Sequence, residues 1–137
     1  LKPLFSVGNY VKNSRIEKTL QELIKVRVSQ INGCAFCLDM HWKDARALGE
    51  TEQRLYGLNA WHESPYYSKR ERAGLQWAEA VTACNVPDEV YAGVAEYFSE
   101  EEMIDLTMAV AHINIWNQLN ISFPKEVIGA YKVGELG

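Results

Sequence analysis

A basic excess, a long unbroken apolar run and a strand-like alternation of apolar and polar residues are all missing from this 137-residue sequence. Fourteen Lys and Arg stand against eighteen Asp and Glu, a formal charge of -4. The positive stripe that phosphate backbones require is therefore absent, and nucleic acid is not an expected partner. The one basic cluster, "SKRER" at Ser68 to Arg72, also contains an acid and opens a helix, which reads as a solvated face. The longest apolar stretch, Met103 to Phe123, is broken by Asp105, His112, Asn114, Asn117 and Asn120. A bilayer-spanning helix would not carry these, so no membrane is expected either. No secretory leader pattern opens the sequence. Cysteine is scarce, and an odd count of three fits a reducing compartment better than a disulfide framework. These absences lead us to expect a cytoplasmic protein. Repeats, low-complexity tracts and linkers are missing too, so residues 1–137 read as a single domain. A chain of this size can bury a core without metal or disulfide staples, so the cysteines are not needed for folding.

What is present is helical punctuation. Ser14 with Glu17, Ser68 with Glu71 and Ser99 with Glu102 all have the spacing of a capping box. Pro3, Pro65, Pro87 and Pro124 fall between the segments these boxes open, and Gly49 follows a Lys- and Arg-bearing run as a helix stop. The expectation is an all-α fold: a first segment to about Asn13, then helices near 15–31, 34–48, 52–62, 69–84, 88–97 and 100–120. Segment 100–120 carries two apolar stripes, one of Ile104, Met108, Ala111 and Ile115, the other of Leu106, Val110 and Ile113. Such a helix is central to the core or lies between subunits, and in a chain this short both are expected, giving a homo-oligomer.

Chemistry is concentrated in Asn32 to Ala45, "NGCAFCLDMHWKDA". Cys34, Cys37 and His41 lie at i, i+3 and i+7, on one helix face. Zinc would find three ligands there, but a structural site normally brings a second pair, and Cys84, His62 and His112 are isolated and differently placed. Covalent haem needs histidine directly after the second cysteine, where Leu38 stands. Two buried thiols packed as small core residues are the structural alternative. Against it, the pair stands at a helix start behind Asn32 and Gly33, where free backbone N–H groups and the macrodipole favour a thiolate. A dithiol beside a proton-handling imidazole is a redox site. A thioredoxin domain uses the same spacing but needs flanking strands, which this sequence lacks.

The sequence resembles the AhpD-like alkylhydroperoxidases of the carboxymuconolactone decarboxylase superfamily, through "CAFCLDMHWKDARALGETEQRLYGLNAW", "SPYYSKRERAGLQWAEAVT" and "EEMIDLTMAVAHINIWNQLNISF". Redox members of that family carry a glutamate twelve residues before the first cysteine, which is Glu22 here. The resemblance implies reduction of hydroperoxides by the cysteine pair, proton transfer by Glu22 and His41, and assembly into trimers or hexamers. It also implies that the second cysteine, Cys37, is peroxidatic, and that Cys34 resolves and meets the reductant. The decarboxylase branch lacks the pair, which argues against a lyase. By its position on a helical wheel alone, Glu22 would be a surface residue. If Asn32 and Gly33 reverse the chain into a helix pair, however, Glu22 and His41 come nearly level at about 1.5 Å of rise per residue.

The expected activity is thus that of a thiol peroxidase with catalytic Cys37, Cys34, His41 and Glu22, no cofactor or metal, a hydroperoxide substrate, and an unidentified dithiol or protein reductant. A general thiol–disulfide oxidoreductase is the alternative, with a metal-binding protein behind it. Cys84, near a helix end, reads as an inert packed thiol, His62 as a loop or helix-end residue, and His112 as a satisfied core histidine. Trp42, Trp61, Trp77, Trp116, Tyr66 and Tyr67 either line an apolar peroxide pocket or pack the core. The dipole favours Cys34 as nucleophile, with more exposure expected there, whereas the neighbouring His41 and Glu22 favour Cys37.

Overall fold

The end of one helix at Asn32 and the start of the next at Ala35 set the geometry of the whole region. Gly33 closes the first helix in the left-handed conformation, at φ +71°, where a side chain would be strained. A computed structural model of the chain describes residues 1–135. Among them it shows seven α-helices and no strand: α1 Lys2–Lys12, α2 Lys18–Asn32, α3 Ala35–Ala47, α4 Glu52–Tyr56, α5 Lys69–Thr82, α6 Asp88–Ala95 and α7 Glu100–Ser122, with a 3-10 turn at Leu58–Ala60. The all-α expectation holds.

Helix α2 separates two apolar clusters. Leu20, Ile24 and Val28 of α2 pack with Ala73 and Trp77 of α5, Val94 of α6, and Leu106, Val110 and Ile113 of α7. On its other side Leu23 and Val26 meet Ala45, Leu55, Leu58, Trp61, Tyr67 and Leu75. A helix buried on both sides cannot afford free polar side chains, and those it carries inward are paired. Gln21 donates to the Ile16 carbonyl at 2.8 Å, and Ser29 accepts from Asn117 at 3.0 Å.

Two of the three expected capping boxes form, at Ser68–Glu71 and Ser99–Glu102. The third does not. Helix α2 begins at Lys18, three residues later than 15, with Glu17 at its N-cap and no side-chain cap. Tertiary contacts account for this: the Arg15 backbone N–H and guanidinium both donate to Asp105 of α7, at 3.1 and 3.0 Å, and Ile16 is drawn into the core. The segment expected at 52–62 also breaks, into α4 and the 3-10 turn. The Tyr67 hydroxyl donates to the Arg54 carbonyl at 2.5 Å, competing for the acceptor that a continuing α-helix would give to the Leu58 N–H.

Of the two apolar stripes of α7, the one bearing Leu106, Val110 and Ile113 is buried, while Ile104 and Ile115 are 54% and 40% exposed. After Phe123 the described residues run without helix and are tied to α3. Lys43 donates to the carbonyls of Gly129 and Tyr131 at 3.1 and 3.0 Å, and the Tyr131 hydroxyl donates to Asp44 Oδ1 at 2.7 Å.

Candidate active site

Cys34 is the N-cap of α3, extended at φ -88° and ψ 99°. Its Sγ accepts from the Cys37 backbone N–H at 3.3 Å, the place a serine or aspartate oxygen takes in an ordinary cap. The two sulfurs are joined as a disulfide, with Cα atoms 5.3 Å apart. Both residues are buried, at 1% and 2% exposure, so the greater exposure expected of Cys34 is not found. What distinguishes them is their neighbours. Cys34 borders a cavity of about 190 Å³ whose walls include Phe36, Asn120, Ile121, Pro124 and Ile128. Cys37 faces α7, where the Asn120 side-chain amide donates to its Sγ at 3.7 Å.

One helical turn along α3, His41 meets α2. Its Nδ1 lies 3.3 Å from Glu22 Oε2. The two atoms are buried and face each other at ion-pair distance, but off the direction a hydrogen bond needs, so neither has a directional partner. The other Glu22 oxygen accepts from Lys25 at 3.1 Å. Glu22 is 9% exposed, which corrects the surface position its helical wheel suggests. α3 folds back over the edge of the apolar face and covers it. Burial pushes the Glu22 carboxyl up, but His41 and Lys25 outweigh it and hold the group below its ordinary value of 4.5. Asp44, one turn beyond His41, lies 3.9 Å from His41 Nδ1. Burial raises its pKa by more than the Tyr131 hydroxyl lowers it, and the negative Glu22 adds to the rise. Tyr131 is pushed up to about 12 by burial and by its bond to Asp44.

Glu22, His41 and Asp44 are the only group of three metal-capable side chains that converge among the described residues, their ligand atoms lying within 4.8 Å of one another. The zinc set considered from spacing, Cys34, Cys37 and His41, is not assembled, since the sulfurs are bonded to each other. At the carboxylate cluster the Lys25 ammonium already supplies the neutralising charge.

Of the other readings, that of Cys84 changes, whereas His62 lies in a turn as expected. Cys84 is exposed rather than packed and holds a left-handed φ of 54°, just past the end of α5. His62 is exposed and bonded to Glu79 at 3.0 Å. His112 is half-buried, its Nε2 accepting from Trp116 Nε1 at 3.0 Å. Trp61, Trp77 and Tyr67 belong to the core clusters, and the cavity beside Cys34 is lined by Phe36, aliphatic residues, Asn120 and Glu126, with no tryptophan. Four neighbours of the site were not singled out beforehand. Lys25 and Asp44 follow Glu22 and His41 by three residues, the same spacing that separates the two cysteines. Asn120 and Tyr131 arrive from distant sequence and give no such clue.

Comparison with known proteins places this geometry among relatives. The sequence model of the carboxymuconolactone decarboxylase family matches residues 2–80. YdfG of Bacillus subtilis, an uncharacterized protein, is 48% identical over 125 residues, spanning 89% of this chain and 85% of its own. A crystal structure from Agrobacterium tumefaciens, of a protein of unknown function suggested to be the antioxidant defence protein AhpD, superposes with a TM-score of 0.87. It is 41% identical and covers 91% of this chain and 88% of its own. The debrominase Bmp8 bound to 2,3,4-tribromopyrrole shares the fold at a TM-score of 0.83, with 21% identity over 93% of this chain and 70% of that one.

Proposed function

The chain belongs to the carboxymuconolactone decarboxylase family, with an AhpD-like all-helical fold, and we propose that it is a cysteine-based peroxidase acting on hydroperoxides. The observation that carries this reading is the placement of a disulfide-forming pair at the head of α3, one helical turn from a buried carboxylate–imidazole pair. In the reduced protein the Cys37 thiolate attacks the distal oxygen of the hydroperoxide. An S–O bond forms, the O–O bond breaks, and the alkoxide leaves as an alcohol with the proton that the Cys37 thiol gave up, carried by the His41 imidazole that Glu22 orients. The Cys34 sulfur then attacks Cys37, forming the disulfide and releasing water. A dithiol or protein reductant enters at the cavity beside Cys34, forms a mixed disulfide with it, and leaves oxidised.

Glu22 favours this direction of proton flow. Held below its ordinary pKa, it is ionised at neutral pH and fixes the imidazole that meets the leaving oxygen. The residues act within a single domain. The exposed face of α7 with Ile104 and Ile115, together with Phe5 of α1, fits burial between copies in a homo-oligomer such as a trimer or hexamer.

Single-cysteine variants test the assignment. Cys37→Ser abolishes sulfenic acid formation, whereas Cys34→Ser forms it once and does not turn over. A sulfenic-acid probe that labels Cys34 in the first variant and nothing in the second inverts the roles. Peroxide consumption compared with disulfide reduction at matched reductant separates the peroxidase from a general thiol–disulfide oxidoreductase.

A further inference from the structure

Helix α7 carries three asparagines at three-residue spacing, Asn114, Asn117 and Asn120, in its C-terminal half. Buried amides are costly unless bonded, and two of the three have an evident structural use. Asn117 is fully buried and donates to Ser29 of α2 at 3.0 Å. Asn114 donates to Thr82 of α5 at 3.1 Å. Both accept from the Asn32 amide at the α2–α3 turn, at 2.8 and 3.0 Å. These bonds fix α7 in register against the turn that presents Cys34 and Cys37. The third amide, one turn further, makes no such interhelical polar bond. One N–H of Asn120 goes to the Trp116 carbonyl at 2.9 Å, and the other lies on Cys37 Sγ at 3.7 Å.

We propose that Asn120 is a catalytic residue: its side-chain amide stabilises the Cys37 thiolate and selects that sulfur as the nucleophile. The assignment rests on the peroxidase reading for its role in turnover. Neutral disulfide sulfur is a weak acceptor, whereas a thiolate accepts a charge-assisted bond of roughly twice the strength of a neutral one. The bond therefore favours the anion over both the thiol and the disulfide. Among the described residues Cys34 has no side-chain donor of this kind, only the Cys37 backbone N–H at 3.3 Å. The bond to the Trp116 carbonyl, at 2.9 Å, holds the amide beside the sulfur.

The test titrates Cys37 in reduced Cys34→Ser protein by its rate of alkylation with iodoacetamide against pH, read by mass spectrometry, with and without Asn120→Ala. Loss of a charge-assisted bond raises the midpoint by about one pKa unit, roughly tenfold less thiolate at a pH below it. The limiting rate at high pH stays the same. Asn120→Asp, which keeps the size and adds a negative charge, raises the midpoint further, and Asn120→Gln restores part of the parent value. A purely structural role would change the melting temperature and the high-pH limit while leaving the midpoint in place. A midpoint within about 0.3 unit of the parent in both the Ala and the Asp variants overturns the proposal. Because alkylation involves no hydroperoxide, a chain that titrates as expected but consumes no peroxide refutes the peroxidase reading alone.

Discussion

Replacing Glu22 by Gln keeps the shape of the side chain and removes its charge, so it separates the proton chemistry from the packing. In the parent the carboxylate lies 3.3 Å from His41 and 3.1 Å from Lys25, with side-chain exposures of 12%, 10% and 18% for Glu22, His41 and Lys25. The amide carries no charge to pair with Lys25 or to support proton transfer through the imidazole. Positioned acid–base groups contribute about 10² to 10⁴ in rate, so we expect disulfide formation from tert-butyl hydroperoxide to slow at least about a hundredfold, roughly 2.7 kcal/mol of barrier. Stability changes too. Charge-assisted hydrogen bonds are worth about 1.5–3 kcal/mol, and Lys25 is left without its counter-charge. The sign follows from the lowered pKa of Glu22: its contribution is present above the ordinary value of 4.5 and is lost as pH falls through the lower folded value. Parent and variant therefore differ in melting temperature at pH 7 and converge in acid. The rate is followed by stopped-flow tryptophan fluorescence or by quenched thiol counting. A rate within threefold of the parent, with the melting difference present at pH 7, would show that Glu22 is structural and refute the relay.

Asp105, 1% exposed in its side chain, accepts from Tyr10 at 2.5 Å and twice from Arg15. Asp105→Asn should cost about 2–3 kcal/mol, seen as a melting temperature lower by roughly 6 °C or more, and a drop under about 2 °C would contradict this. His112 is lowered from 6.5 to about 4 by burial and by the Lys25 and His41 charges, in keeping with its role as acceptor for Trp116. The unfolded chain binds that proton first, so stability should fall as pH drops from 6.5 toward 4. His112→Gln should flatten the slope, and an unchanged slope assigns it to other groups. The exposed isoleucines of α7 predict an oligomer by light scattering at micromolar concentration, shifted toward monomer by Ile115→Asp. A monomeric parent refutes that reading.

The sequence was a good guide where local chemistry decides the structure. Ser68 with Glu71 and Ser99 with Glu102 open helices because each box satisfies two backbone N–H groups from within four residues. Ser14 with Glu17 has the same spacing but fails, because Asp105, ninety residues away, takes the Arg15 N–H. The site divides in the same way. Cys34, Cys37 and His41 share a helix face by spacing alone, and the turn at Gly33 was enough to bring Glu22 level with His41. The burial of Glu22 was not legible, since it depends on how closely α3 covers α2. Asn120 shows in the sequence only as an interruption of an apolar run, because nothing in α7 shows that its sixth turn lies on a sulfur of α3.

The most direct measurement takes the fully reduced protein through a titration with one equivalent of organic hydroperoxide, following peroxide loss and peptide mass together. One peroxide should be consumed per chain, with a loss of two hydrogens confined to the peptide containing Cys34 and Cys37 and Cys84 unchanged. Peroxide that persists while both thiols stay reduced, under conditions where a disulfide substrate oxidises them, would contradict this and make this protein a thiol–disulfide oxidoreductase.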